Sequence, residues 1–164
     1  MRRSSNYWIA GAALAAIAWQ SAAQTPPPAA AAPAGPTPSE KAIEYRQAVY
    51  KIIGGNFPAL GQVAQGKAEF KAETAAKQAT RVAQLAAISV DAYPDISKEG
   101  KTRALPAIWT NRKEFDALLA DFVTHTKTLA EVTENSSSAG DEFKAAVAAV
   151  GNDCKTCHDK FRAK

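Results

Sequence analysis

The only two cysteines of this 164-residue chain lie in its last eleven residues, CKTCHDKFRAK, and the second is followed by one of the chain's two histidines. Cys154, Cys157 and His158 thus place two thiols and an imidazole within five residues. Covalent haem attachment needs two thiols spaced to reach the two vinyl groups, with an adjacent imidazole to ligate the iron, and Cys-x-x-Cys-His supplies all three. Zinc needs four ligands in a tetrahedron. His125 is the sole remaining histidine, and the neighbours Cys157 and His158 make an awkward pair around one small ion. A thioredoxin-like dithiol belongs at a helix start after a strand, and the chain shows no strand pattern. A disulfide across three residues of a helix would close a very short loop and stabilise little. Of these chemistries the sequence favours haem c.

With His158 as one axial ligand, the opposite ligand decides what the iron can do. A methionine would raise the potential and make a low-spin carrier, but the only methionine is Met1. His125 stands as either a second axial ligand or an ordinary hydrogen-bonding residue at a bundle edge. The sequence therefore points to an iron with an open sixth position.

The elements that must position these groups are helical. Apolar residues recur at three- and four-residue steps from Ser39 onward, with no sustained alternation. A first helix is expected from Ser39, its candidate N-cap, to the Gly54-Gly55 pair. A second is expected over about 70–88. A third opens at Pro106 and ends before the Asn-Ser-Ser-Ser break at 135–138, and a fourth runs from about Ala139-Gly140-Asp141 to the C-terminus. Loops are expected at 58–66 and 90–105. Four amphipathic helices with modest connections imply an all-α, antiparallel four-helix bundle.

The fourth helix carries a seam of Phe143, Val147, Val150, Cys154, Cys157 and Phe161, so both thiols are expected to face the core, with His158 beside them. The third has Ile108, Phe115, Phe122 and Leu129 on one row and Leu118, His125 and Val132 on the other. In the first, Ile43, Tyr50 and Phe57 share a row and Arg46 lies with Ile53 on the next. A cation on an inward row needs a partner.

Not all of the chain belongs to the bundle. Residues 1–23 have basic Arg2 and Arg3, an apolar stretch from Ile9 to Trp19 and small Ser21 and Ala23 before Gln24, the pattern of a cleaved secretory signal. The apolar stretch is short of the ~20 residues that cross a bilayer, so no stable membrane anchor is expected. Residues 24–38, rich in Pro and Ala, read as a flexible linker or tail, which leaves 39–164 as the bundle domain. Loss of Arg2 and Arg3 lowers the formal charge from +4 to +2, and there is no basic run with interleaved aromatics. Nucleic acid is therefore not an expected partner.

Three stretches, YRQAVYKIIGGNFPALG in the first helix, TRALPAIW at the start of the third and CKTCHDKFR at the C-terminus, resemble the class II c-type cytochromes known as cytochrome c prime. The resemblance spans about residues 40–164. It implies a commonly dimeric bundle with one covalently attached haem c per chain and pentacoordinate, high-spin iron. Cys154 and Cys157 would form the thioethers and His158 would be the proximal ligand. Arg46 and Gln47 would contact the haem propionates, and Lys101 or Thr102 the haem edge. Tyr50 would occupy the distal position, and Arg162 would stand beside the proximal pocket. The resemblance further implies that nitric oxide (NO) and carbon monoxide (CO) bind at the vacant site, and that NO strains the His158 bond. The role expected is NO scavenging or sensing rather than enzymatic turnover, in the periplasm of a Gram-negative bacterium. Electron transfer to unidentified redox partners, with no gas-binding role, is the alternative.

Overall fold

The computed structural model describes residues 35–164. The expected signal segment at 1–23, and the expected linker as far as residue 34, lie outside them. The described chain forms α1 (Pro38–Ala64), α2 (Ala72–Ser89), a 3-10 turn (Asp95–Ser97), a one-turn α3 (Ala107–Thr110), α4 (Arg112–Glu134) and α5 (Asp141–Phe161). The four long helices pack in the cyclic order α1, α2, α4, α5, and the α1–α5 seam is the least extensive of the four. This is the expected four-helix bundle, and among the described residues no helix is long and apolar enough to cross a membrane.

Three boundaries differ from expectation. Thr37, not Ser39, caps α1. Its hydroxyl accepts from the Glu40 amide at 3.2 Å while its own amide donates to Glu40 Oε2 at 2.8 Å, with Pro38 at the first helical position. This reciprocal pair satisfies two orphan amides, which a lone serine cap would not do. At its other end α1 runs through Gly54, Gly55 and Pro58 rather than stopping there. The intrinsic cost, about 1 kcal/mol per glycine and ~3 for proline, is outweighed because the apolar row continues. Leu60 is completely buried, and Val63 and Ala64 pack on the core beyond it. The third expected helix is interrupted at Asn111, whose backbone (φ −112°, ψ 43°) leaves the helical region and separates α3 from α4.

The seams are buried as expected along most of their length: Ile43, Arg46 and Ile53 in α1, Phe115, Phe122 and Leu129 in α4, and Phe143, Val147, Val150 and Phe161 in α5. Tyr50, Phe57, Leu118, Cys154 and Cys157 lie on the same rows yet are only half-buried. They cluster where the rows part and open a slot in the bundle. The chain end is fixed there by backbone bonds from Leu105 N to Phe161 O (2.9 Å) and from Ala163 N to Arg103 O (2.8 Å). Gly100 has a φ of 132°, and a Cβ there would stand 2.8 Å from Ile43 Cδ1. Only glycine lets the 98–103 loop lie this close to α1.

Candidate functional site

Two adjoining cavities occupy the slot, and Tyr50, Cys157, His158 and Arg162 line both. The first, about 310 Å³, is walled by Tyr50, Gly54, Phe57, Leu118 and Phe122 opposite Cys154 and His158. The second, about 280 Å³, is bordered by Arg46, Gln47, Tyr93, Thr102, Arg103 and Phe115. α5 sets the thiols and imidazole on one wall because residues three and four apart share a helix face.

No disulfide joins the cysteines. Burial, with Asp153 and Cys157 adding to it, pushes the Cys154 thiol up to about 11, and burial raises Cys157 as well. Both are therefore protonated thiols at neutral pH. Among the described residues no three His, Cys, Asp or Glu side chains converge as a metal cage, which disfavours the zinc alternative. Burial, together with the charges of Arg162 and Arg103, lowers the pKa of His158 and keeps its imidazole neutral, the form that ligates metals. Arg162 Nη1 lies 3.4 Å from His158 Nε2.

Arg46 is only 4% exposed. Nη1 donates to Ser97 Oγ (2.8 Å) and Ala92 O (3.3 Å), and Nη2 to Thr102 Oγ1 (2.9 Å) and Ser97 O (3.3 Å). Its guanidinium lies over Tyr93, 5.0 Å from the ring centroid. Its partners are neutral, and burial lowers its pKa. A buried cation with neutral acceptors alone is left without a counter-charge. Gln47 Nε2 donates to Lys101 O at 2.8 Å, which ties α1 to the same loop. Of the two loop residues expected at the haem edge, Thr102 lines the cavity, whereas Lys101 is exposed and contributes its carbonyl to Gln47. Tyr50 packs edge-on against Tyr93 with centroids 6.3 Å apart, and burial raises the pKa of its phenol.

His125 lines neither cavity. Its Nδ1 is 2.8 Å from Asp153 Oδ2, a carboxylate in a residue 7% exposed whose pKa is raised chiefly by burial. Sequence reasoning did not single out Tyr93 or Asp153, and Arg103 entered it only within the TRALPAIW stretch. Tyr93 and Arg103 sit in a loop with no periodicity to mark them, and Asp153 was hidden by its more conspicuous neighbour Cys154. Phe57 was assigned only to the core.

A family model described as Cytochrome C' matches residues 41–162. The chain belongs to the cytochrome c' family. Cytochrome c' of Rubrivivax gelatinosus is 36% identical over 124 residues, which are 75% of this chain and 95% of that protein. The structure of cytochrome c prime from Shewanella frigidimarina superposes with a TM-score of 0.73 at 33% identity, covering 77% of this chain and 97% of that one. Cytochrome c prime from Alcaligenes xylosoxidans, solved as a ferrous variant with bound NO, gives 0.70 at 25% identity, covering 77% and 96%.

Cytochromes c' are haem proteins, and the residues present fit the group. The cavities are bounded largely by apolar side chains, the two thiols and the neutral imidazole share one wall, and the buried Arg46 cation calls for an anion such as a propionate. Trp109, 5.9 Å from the Arg46 guanidinium, carries a buried Nε1 with no acceptor among the described residues. Arg46 borders the second cavity, where a carboxylate would supply the counter-charge it lacks, whereas Trp109 lines neither cavity.

Proposed function

We propose that this cytochrome c' is a periplasmic haem protein, rather than an enzyme, whose iron keeps one axial position vacant and there takes up NO and CO, with scavenging or sensing of NO as its role. One haem c per chain is attached through Cys154 and Cys157. Arg46 and Gln47 hold its propionates, with Thr102 at its edge, and His158 serves as the protein's axial ligand. The haem supplies an iron that binds neutral diatomics when reduced. The chain's own residues supply the selection.

One observation carries the reading. The first cavity's charged lining, Asp153 and Arg162, lies with His158 on α5 and the residue after it, whereas α1 and α4 contribute Tyr50, Gly54, Phe57 and Phe122, a wall with no imidazole, thioether or amine to fill a second axial position. His125 is held by Asp153 instead. Such a wall repels water and anions, which lose hydration on transfer, but admits small uncharged molecules. The NO-bound relative supports the same reading. Periplasmic location rests on the signal pattern at 1–23.

Absorption and electron paramagnetic resonance spectra of the purified protein test this. High-spin ferric signals at neutral pH and a shifted ferrous Soret band under CO are expected. A purely low-spin ferric spectrum would show that a second ligand fills the site.

Electron transfer is favoured by a different feature, the second cavity's open margin at Gln47, Arg103 and Arg162, which would leave a haem edge accessible. A deletion strain separates the roles. NO sensitivity supports the first, and impaired respiratory growth without it supports the second.

A further inference from the structure

Residues 54–58 read Gly-Gly-Asn-Phe-Pro, a sequence that ought to end a helix, yet α1 passes through it. Pro58 has no N–H, so the Gly54 carbonyl lacks its helical donor, and the two glycines add backbone freedom. Asn56 Nδ2 donates to Ile52 O at 2.8 Å, competing with the helix's own amide for that carbonyl. Phe57 therefore rides on the least constrained turn of α1.

The same ring belongs to the walls of two voids. One is the pocket facing His158. The other is a groove of about 340 Å³ between α1 and α5, lined by Gly61, Ala64, Val147, Ala148 and Gly151, with Gln65 and Lys144 at its edge. Gly151 has no side chain, and a Cβ there would stand 4.0 Å from Phe57 Cζ. Small residues thus keep the least packed seam of the bundle open as far as the phenyl ring.

We propose that the α1–α5 groove is the route by which uncharged diatomic gases reach the iron site, with Phe57 as its gate. The inference rests on the gas-binding reading above and adds the path and the residue that controls it. Apolar grooves hold small apolar gases without the hydration penalty that water and ions incur there. The margin of the second cavity, beside Arg46, Gln47 and Arg103, is polar and cationic, suited to propionates and anions. A gate sets how fast ligand passes in both directions, whereas affinity depends on the end states alone.

Gly151→Leu and Ala148→Phe narrow the groove from α5 at positions that do not line the pocket facing His158, and the side chain added by Gly151→Leu packs against the Phe57 ring itself. In flash photolysis and stopped-flow measurements on the haem-loaded ferrous protein, each is expected to slow CO association and dissociation by about tenfold, or about 1.4 kcal/mol of barrier, with affinity unchanged. Phe57→Ala should accelerate both. Rates within about twofold of the parent in both groove variants overturn the route, as does a change in affinity alone. Xenon supplies a readout independent of the iron. Xenon-pressurised crystals of the ferric protein should show an atom between Gly61 and Gly151 in the parent and none in Gly151→Leu. If the parent protein takes up no CO, the gas-binding reading fails, and xenon alone decides the groove. An empty groove in the parent overturns the proposal.

Discussion

Arg46 illustrates how one side chain serves stability and site together. Its guanidinium satisfies the Ala92 and Ser97 carbonyls and two hydroxyls, and so closes the 92–102 loop over α1. Arg46→Leu leaves those acceptors buried without donors, at about 1–3 kcal/mol for an unsatisfied group. A loss of about 2–4 kcal/mol is expected in urea unfolding, and Arg46→Lys should recover only part of it, because an ammonium cannot reproduce the planar fork. Asp153 makes the opposite contribution. Burial raises its pKa above the ordinary aspartate value, against the lowering hydrogen bond from His125. A raised folded pKa means its contribution to stability is complete below about pH 4, its unfolded value, and is lost as pH rises through the folded one. Asp153→Asn should therefore gain thermal stability relative to the parent as pH increases from acid to neutral. A difference constant across that range in thermal melts would contradict this.

The helices were legible because their signal is periodic, and their limits less so because limits depend on partners. The fourth expected helix and α5 coincide, since Phe143, Val147 and Val150 hold an unbroken seam up to the thiols. α1 outran its expected end because burial of Leu60, contributed by tertiary packing, outweighed the local preference of Gly54, Gly55 and Pro58. That the two thiols and the imidazole share one wall was legible for the same reason as α5: Cys154, Cys157 and His158 lie within five residues of one helix. Tyr93 and Thr102 were harder to read. They reach Arg46 from an irregular loop, 47 and 56 residues along the chain, positioned by Gly100 rather than by a repeating pattern. The slot itself left a trace that single-helix analysis cannot interpret. Half-buried residues on otherwise buried rows mark where helices separate, and that becomes visible only when the rows of α1, α4 and α5 are compared.

The outer face of the bundle carries the remaining question of assembly. Tyr45 and Ile52, seven residues apart on one side of α1, are 49% and 50% exposed, and Ile88 at the end of α2 is 43% exposed. The Arg46 bond to the Ala92 carbonyl brings the C-terminal end of α2 beside the first half of α1, the stretch that carries Tyr45 and leads to Ile52. Large exposed apolar groups on a small protein favour self-association, since burying each stabilises a contact by roughly 1.5–3 kcal/mol. The homodimer expected from the family resemblance would use this α1–α2 face. Sedimentation velocity of the haem-loaded protein should then give the mass of two chains. Ile52→Glu, which loses that burial and forces a carboxylate into an apolar contact, should weaken the dimer by at least about a hundredfold, or about 2.7 kcal/mol. A parent that sediments as one chain at micromolar concentration, or a variant as tightly dimeric as the parent, would rule this face out. The helix bearing Tyr45 and Ile52 also bears Tyr50 and Phe57, so any association through α1 bears directly on the turn that walls the cavity facing His158.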